Sequence, residues 1–179
     1  MKTKIVRDMT LISLFAALIS VTSFISIPLG TAPITFQTFG VFSALLLLGG
    51  RRGSISIGIY IGIGAVGLPV FSGFTGGIGR LFDATGGFIF GFLAAALLYW
   101  FLSKILGATL TATVVSVMLA HLALYAVGAL WFFIGYSDGI GFLPTLAATV
   151  LPYLLPDAIK LFLAIFVCEK IKKRLNKPL

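Results

Sequence analysis

The chain has 179 residues, 59% of them apolar and 10% charged, with a mean hydropathy of +1.14, whereas soluble domains run near roughly 45–50% apolar and 25% charged. So much apolar surface cannot be hidden in a water-soluble core, which excludes an ordinary soluble domain and points to a bilayer. The net charge of +8 does not imply nucleic acid, because the basic residues punctuate apolar runs instead of forming a water-exposed patch.

At about 20 apolar residues per span, the length accommodates about six membrane helices and no separate soluble domain. The expectation is an all-α integral membrane protein, residues 1–179 forming a single six-helix domain. The first span is expected over 9–27; its apolar run reaches Ile27 with no Ala-x-Ala cleavage pattern, so it reads as a span and not a secretory signal. Within it, Ser13-x-x-x-Ala17 and Ala16-x-x-x-Ser20 lay small residues on adjacent strips, where another helix could approach closely. By spacing alone an internal neighbour fits this pattern better than an external partner.

The second span, 38–49, is short, and the third covers 53–68. Gly62 to Gly67 matches the lettering of a dinucleotide fingerprint. Its glycines, however, end an apolar helix instead of joining a strand to a helix, so they read as packing positions. Residues 69–83, PVFSGFTGGIGRLFD, read as an outer lid: glycines supply freedom, Phe71 and Phe74 supply apolar cover, and Arg80 is the one outward basic residue. Arg80 could take a carboxylate bidentately, or pair with Asp83 in an ordinary surface loop.

The fourth span is expected over 84–103 and the fifth over 108–134, with His121 inside it and Tyr125 one turn on. A lone histidine there reads first as a group hydrogen-bonded to a neighbouring helix and second as a proton relay. The sixth span, 156–174, starts with Pro156 at the first helical position and Asp157 in the first turn, near the positive helix end. Residues 142–155, interrupted by Pro144 and Pro152, then form an irregular or partly helical cover.

Eleven of the thirteen basic residues (Lys2, Lys4, Arg7, Arg51, Arg52, Lys104, Lys170, Lys172, Lys173, Arg174 and Lys177) fall on one side of this arrangement. The positive-inside rule therefore puts both termini in the cytoplasm. Asp157 and Lys160, spaced i, i+3 on one face, lie within the apolar sixth helix toward the outer leaflet. A charged side chain at the bilayer centre costs about 2.5–3.5 kcal/mol on insertion scales, so such a pair marks a ligand site or pathway, or else a structural ion pair.

No Gly-Lys dipeptide occurs, so the phosphate-binding loop of ATPases is missing and any pumping energy must come from other proteins. No catalytic motif, metal-ligating cluster or cofactor signature is found, and the single Cys168 permits no internal disulfide. An autonomous ion-coupled carrier of small solutes, using Asp157 and Lys160 as its switch, is the alternative function.

Taken in order, Pro33-Ile34-Thr35-Phe36-Gln37, then Gly64 to Gly73, then Gly76-Gly77, then Thr85-Gly86-Gly87-Phe88, then Pro156-Asp157-Ala158-Ile159-Lys160 resemble BioY, the substrate-binding membrane subunit of energy-coupling factor (ECF) biotin transporters. Two pieces depart from the family pattern: Asp83-Ala84-Thr85-Gly86-Gly87 stands for Gly-Pro-Thr-Gly-Gly, and Leu155-Pro156-Asp157 for Pro-Gly-Asp. The resemblance implies a multi-pass protein of the prokaryotic cytoplasmic membrane that captures biotin from outside. Its implied partners are the coupling subunit EcfT and the ATPase pair EcfA/EcfA′, with membrane lipid around it and no nucleic acid. The implied dock is the first-helix strip of Ala16 and Ser20, with Ser13 and Ala17 beside it. Asp157 would accept from the ureido N–H groups of biotin, Lys160 would donate to the ureido carbonyl and Arg80 would take the carboxylate tail; Lys160 on the carboxylate is the reverse arrangement. Phe71, Phe74 and Tyr153, with Ser72 between the first two, would form the walls.

Overall fold

A glycine decides the course of the second hydrophobic run. Helix α2 (Gln37–Ala65) is interrupted at Gly49, whose φ of 79° and ψ of 167° are non-helical. The chain folds back there: Gln37 Nε2, at the start of α2, donates to Tyr60 Oη at 3.0 Å, which a continuous helix would hold about 35 Å apart. A Cβ on Gly53 would lie 2.9 Å from the Leu45 backbone, so the absence of a side chain lets the two arms of α2 touch. The first arm is buried on nearly every side, as expected of an apolar helix with no polar face. That explains how an arm of only about 18 Å suffices: it is enclosed by protein.

The computed structural model describes residues 2–28 and 33–175, with only the backbone of Lys2; Lys177, counted above with the inner basic residues, lies outside them. The remaining elements are α1 (Lys2–Phe24), β1 (Ser26–Ile27), β2 (Ile34–Thr35), α3 (Ile78–Leu81), α4 (Gly86–Leu106), α5 (Leu110–Tyr136), α6 (Phe142–Thr149) and α7 (Leu151–Leu175). Four of these helices, α1 from Thr3 onward, α4, α5 and α7, are long and apolar enough to cross a membrane. β1 and β2 pair antiparallel, with Ser26 opposite Thr35.

Around the hairpin of α2, α1 packs on one side and α4 and α7 on others, while α5 pairs with α4. Gly40 sits against Thr22 and Ile19 of α1, and Gly50 against Trp100 of α4, with no room for a Cβ at either place. Helices α5 and α7 scarcely meet directly; α6 fills the space between them along part of their length. Arg52 at the turn of α2 binds Asp8 of α1 at 3.0 Å, and Lys104 and Lys170 to Arg174 close α4 and α7. The helix order places these basic residues at one end of the bundle. The segment 69–85 and the β ribbon lie at the other.

Two expectations change. The last helix begins at Leu151, not at residue 156, so Pro152 occupies the first turn and Pro156 lies inside the helix. A proline tolerates the first turn because its missing N–H is an orphan there anyway; inside α7, Pro156 instead leaves the carbonyl four residues back without its helical donor. Asp157 is therefore not a first-turn carboxylate, and the helix dipole does not account for its charge. The residues read as an irregular cover, 142–155, resolve into α6, a break at Val150 (φ −122°, ψ −50°) and the start of α7.

Candidate functional site

Asp157 and Lys160 are 6% and 7% exposed and point from α7 toward the first arm of α2. Lys160 Nζ donates to Asp157 Oδ1 at 2.8 Å, Thr38 Oγ1 donates to the same oxygen at 3.3 Å, and Tyr125 Oη donates to Oδ2 at 2.8 Å. The carboxylate is thus held from three helices, α2, α5 and α7. An ion pair buried this far is held by geometry: removing one partner strands the other charge and costs about 3–5 kcal/mol.

The pair forms the floor of a cavity that opens at the end away from the basic residues. Its walls come from Ile34 and Thr35 of β2, Gln37 and Thr38 of α2, Tyr60 of the returning arm, Phe88, Ile89 and Phe92 of α4, and Leu124 and Tyr125 of α5. Phe71, Ser72, Arg80 and Thr85 close it from the loop side and Tyr153 from α7. In the ligand-free chain the cavity is tight, with a volume of about 90 Å³, below the range of about 300–1,000 Å³ usual for small-molecule sites. Mostly aromatic and aliphatic walls around a few converging polar groups are the ordinary make-up of such a site.

The loop that covers the cavity is anchored by its own short ladder. Phe71 N donates to Thr75 O at 2.9 Å, and Phe74 takes a positive φ of 57° at the bend. Phe71 is 1% exposed and stands edge-on to Tyr60, with ring centroids 5.5 Å apart. Its ring occupies the space a side chain on Gly64 would need, so that glycine is what lets the wall residue seat. Arg80 Nη1 pairs with Asp83 Oδ2 at 2.5 Å, while Asp83 Oδ1 accepts from the backbone N–H and hydroxyl of Thr85 at 2.7 and 2.8 Å. Trp131 and Tyr136 of α5 donate to the carbonyls of Asp83 and Phe82, tying the loop to the end of α5.

Of the residues singled out from the sequence, Asp157, Lys160, Arg80, Phe71, Ser72 and Tyr153 all line this one cavity. Phe74 does not: it is 66% exposed and stacks on Phe24 of α1 with centroids 4.3 Å apart, because the left-handed bend after Gly73 turns it outward. The four small residues of α1 also separate. Ala16 and Ser20 are buried, at 3% and 7% exposure, and Ser20 Oγ donates to the Ala16 carbonyl at 3.0 Å. They serve internal packing, which leaves Ser13 and Ala17 as the exposed pair. His121 makes no hydrogen bond to a neighbouring helix: neither ring nitrogen has a partner among the described residues. Its Nε2 lies 3.6 Å from Asp157 Oδ2 and its ring packs edge-on to Tyr125 and Phe42.

Sequence reasoning did not single out Thr38, Tyr60, Ile89 or Phe92, and quoted Phe88 of the α4 wall only as part of the family pattern. Thr38 directly follows the quoted Gln37, and that adjacency was the available signal. Tyr60, a hydroxyl-bearing aromatic in a glycine-rich arm, becomes a site residue only once α2 folds back.

A model of the BioY family matches residues 1–177 of the chain. A probable biotin transporter BioY of Pyrococcus horikoshii is 36% identical over 166 residues, covering 93% of this chain and 96% of that protein. The biotin transporter BioY of Thermotoga maritima is 42% identical over 98 residues, covering 55% and 58%. Among solved structures, the S-component for biotin from an ECF-type ABC transporter superposes with a TM-score of 0.88 at 27% identity, covering 97% of this chain and 94% of that one. The S component of a bacterial ECF transporter superposes with a TM-score of 0.58 at 15% identity over 95% of each chain, a likeness of fold.

Proposed function

The chain belongs to the BioY family, and from that premise we propose that it is the biotin-binding S component of an ECF-type importer in the prokaryotic cell membrane. The observation that carries the reading is the buried Asp157–Lys160 pair at the floor of an apolar-walled cavity. The wider family likeness supports an assembly with the ECF module, and we assign the partners as the coupling subunit EcfT and the ATPases EcfA and EcfA′. The chain then performs no chemistry, and the ATPases supply the energy.

Counting the two arms of α2 separately, six segments run between the basic end and the cavity end, and we take residues 1–179 as one six-span domain. The positive-inside rule applied to Arg51, Arg52, Lys104 and the end of α7 supports cytoplasmic termini and an outward-opening cavity.

The bonding capacity left over at the floor matches a ureido ring. A carboxylate offers about four lone-pair sites and an ammonium three donors. With Lys160, Thr38 and Tyr125 already bound, Asp157 retains one acceptor site and Lys160 two N–H donors. Asp157 accepts one ureido N–H, the amide carbonyl of Gln37 accepts the other, and Lys160 donates to the ureido oxygen. The fused sulfur ring then meets Phe71, Tyr60 and Phe92, with Tyr153 and Ser72 toward the loop side, and the valeryl tail runs to Arg80 at the mouth. There the biotin carboxylate competes with Asp83 for the guanidinium.

The test is calorimetric titration of the purified chain with biotin and with biotin methyl ester. One site per chain for biotin, weakened by esterification, is expected; absence of a biotin heat refutes the assignment. Uptake into liposomes that contain this chain alone, without ATPases, would instead favour an autonomous carrier.

A further inference from the structure

Between α5 and α7 runs a second recess, separate in composition from the cavity above. Its free volume is about 650 Å³, and Leu110, Val114, Met118 and Leu122 of α5 face Phe162 and Phe166 of α7 across it. All six side chains are exposed in the isolated chain. Along the recess α5 and α7 make few close backbone contacts, and Tyr125 of α5 ties back to Asp157 of α7 at 2.8 Å. Tyr125 closes it: the same side chain lines the recess and the biotin cavity, with His121 beside it.

Three observations define what fits there. From Leu110 to Leu122 the apolar wall is about 18 Å long, a little over half of the roughly 30 Å hydrocarbon thickness. A spanning helix needs the full thickness; one leaflet's worth of acyl chain needs about this length. The open end is basic: Glu169, Lys170 and Lys173 line it, and Glu169 is paired with Lys172 at 2.8 Å, which leaves Lys170 and Lys173 as uncompensated charge among the described residues. Lys170 Nζ lies 4.2 Å over the Phe166 ring, so its stem follows the apolar wall and its charge stays at the mouth.

We propose that this recess is a binding site for a phospholipid with an anionic headgroup, drawn from the leaflet on the basic side of the protein. An acyl chain lies along Met118 and Phe162 and ends against His121 and Tyr125. The phosphate or anionic headgroup sits between Lys170 and Lys173.

The experiment is native mass spectrometry of the full chain, released from detergent containing equal amounts of dioleoyl phosphatidylglycerol and dioleoyl phosphatidylcholine. The two lipids share their chains, so only the headgroup differs. Retention of phosphatidylglycerol is expected to exceed that of phosphatidylcholine about thirty-fold, as expected for two lysines near an anionic lipid surface. Lys170→Gln with Lys173→Gln is expected to remove the preference, and Met118→Trp, which fills the recess, to reduce retention of both lipids. Lys104→Gln, at the same end of the molecule but on α4, is expected to leave the preference intact. Biotin binding by each variant reports that it is folded, since none of these residues lines the biotin cavity. Equal retention of both lipids by the unaltered chain overturns the proposal, as does a preference that survives the double lysine variant or lipid retention that Met118→Trp leaves undiminished. A second copy of the chain that leaves on Met118→Trp would overturn it too, by showing that the recess holds protein.

Discussion

Asp157→Asn and Lys160→Met, made singly and together, separate a ligand site from an ion pair that only holds helices in place. Either single change leaves one charge without its partner at a position 6–7% exposed, at a cost of about 3–5 kcal/mol in stability. In the first variant the asparagine carbonyl could still accept from Thr38 and Tyr125, but the Lys160 ammonium would face only neutral groups. In the second, methionine donates nothing, and the Asp157 carboxylate would keep those two hydroxyl donors alone. The double change removes both charges and keeps side chains of similar size. Replacing a buried pair with neutral or apolar groups is often neutral or stabilising by about 1–4 kcal/mol. Thermal unfolding of the ligand-free protein in detergent is therefore expected to drop for each single variant and to return to the starting value or above for the double one. Affinity is expected to follow a different order. Each single variant loses one charge-assisted contact to the ureido ring, at about 2–5 kcal/mol, and the double variant loses both and does not recover; at 1.4 kcal/mol per decade the loss of one contact is a weakening of about thirty-fold to several thousand-fold. Calorimetric titration with biotin measures it. A double variant that binds biotin as tightly as the original would refute the reasoning and reduce the pair to a structural tie.

Tyr125→Phe removes one donor from Asp157 Oδ2 and is expected to weaken biotin binding about ten- to a hundred-fold, the worth of a hydrogen bond to a charged group, as read by the same titration. Gly64→Ala drives a methyl group into the space of the Phe71 ring; displacement of that wall is expected to lower affinity about tenfold or more, at the overpacking cost of about 1–3 kcal/mol, and unaltered affinity would place Phe71 outside the contact. Ala17→Trp, on the exposed strip of α1, is expected to spare biotin binding and block co-purification with the coupling subunit, whereas Ala16→Trp, at 3% exposure, is expected to lower thermal stability. Asp83→Asn keeps the acceptor used by Thr85 but frees Arg80 from its ion pair, and is expected to tighten biotin up to about fivefold, the worth of a part-exposed salt bridge, with biotin methyl ester unaffected; equal gains for both ligands would show that Arg80 does not meet the tail.

The residues that sequence reasoning located best are those whose chemistry is out of place for their surroundings. A carboxylate and an ammonium in an apolar helix are costly wherever they point, so Asp157 and Lys160 announce themselves before any fold is known. The same holds for Arg80 as the one outward basic residue. Phe74 could not be separated from Phe71 in this way: three positions apart in one loop, both are apolar and either could cover a ligand. Only the left-handed bend at residues 73–74 sends one ring to the cavity and the other to Phe24. Small-residue strips carry equally little direction, since Ala16, Ala17, Ser13 and Ser20 satisfy a packing motif on either face of α1.

The proline positions show how a local rule yields to a longer-range one. Pro156 suits a helix start, and a helix from there to Arg174 has nearly the length of the hydrocarbon layer, so 156–174 is a consistent span on local grounds. Pro152 satisfies the same rule four residues earlier, and starting at Leu151 brings Tyr153 and Asp157, one turn apart, onto the same cavity. The kink-prone residue is then retained inside the helix at the turn that carries the charges. A proline there frees a carbonyl that membrane interiors tolerate only where protein or a polar cavity receives it. The freed carbonyl is that of Pro152, an exposed residue in the first turn of α7, five residues before Asp157, so the break in helical bonding falls at the start of the helix and the buried ion pair keeps its own polar partners on α2 and α5.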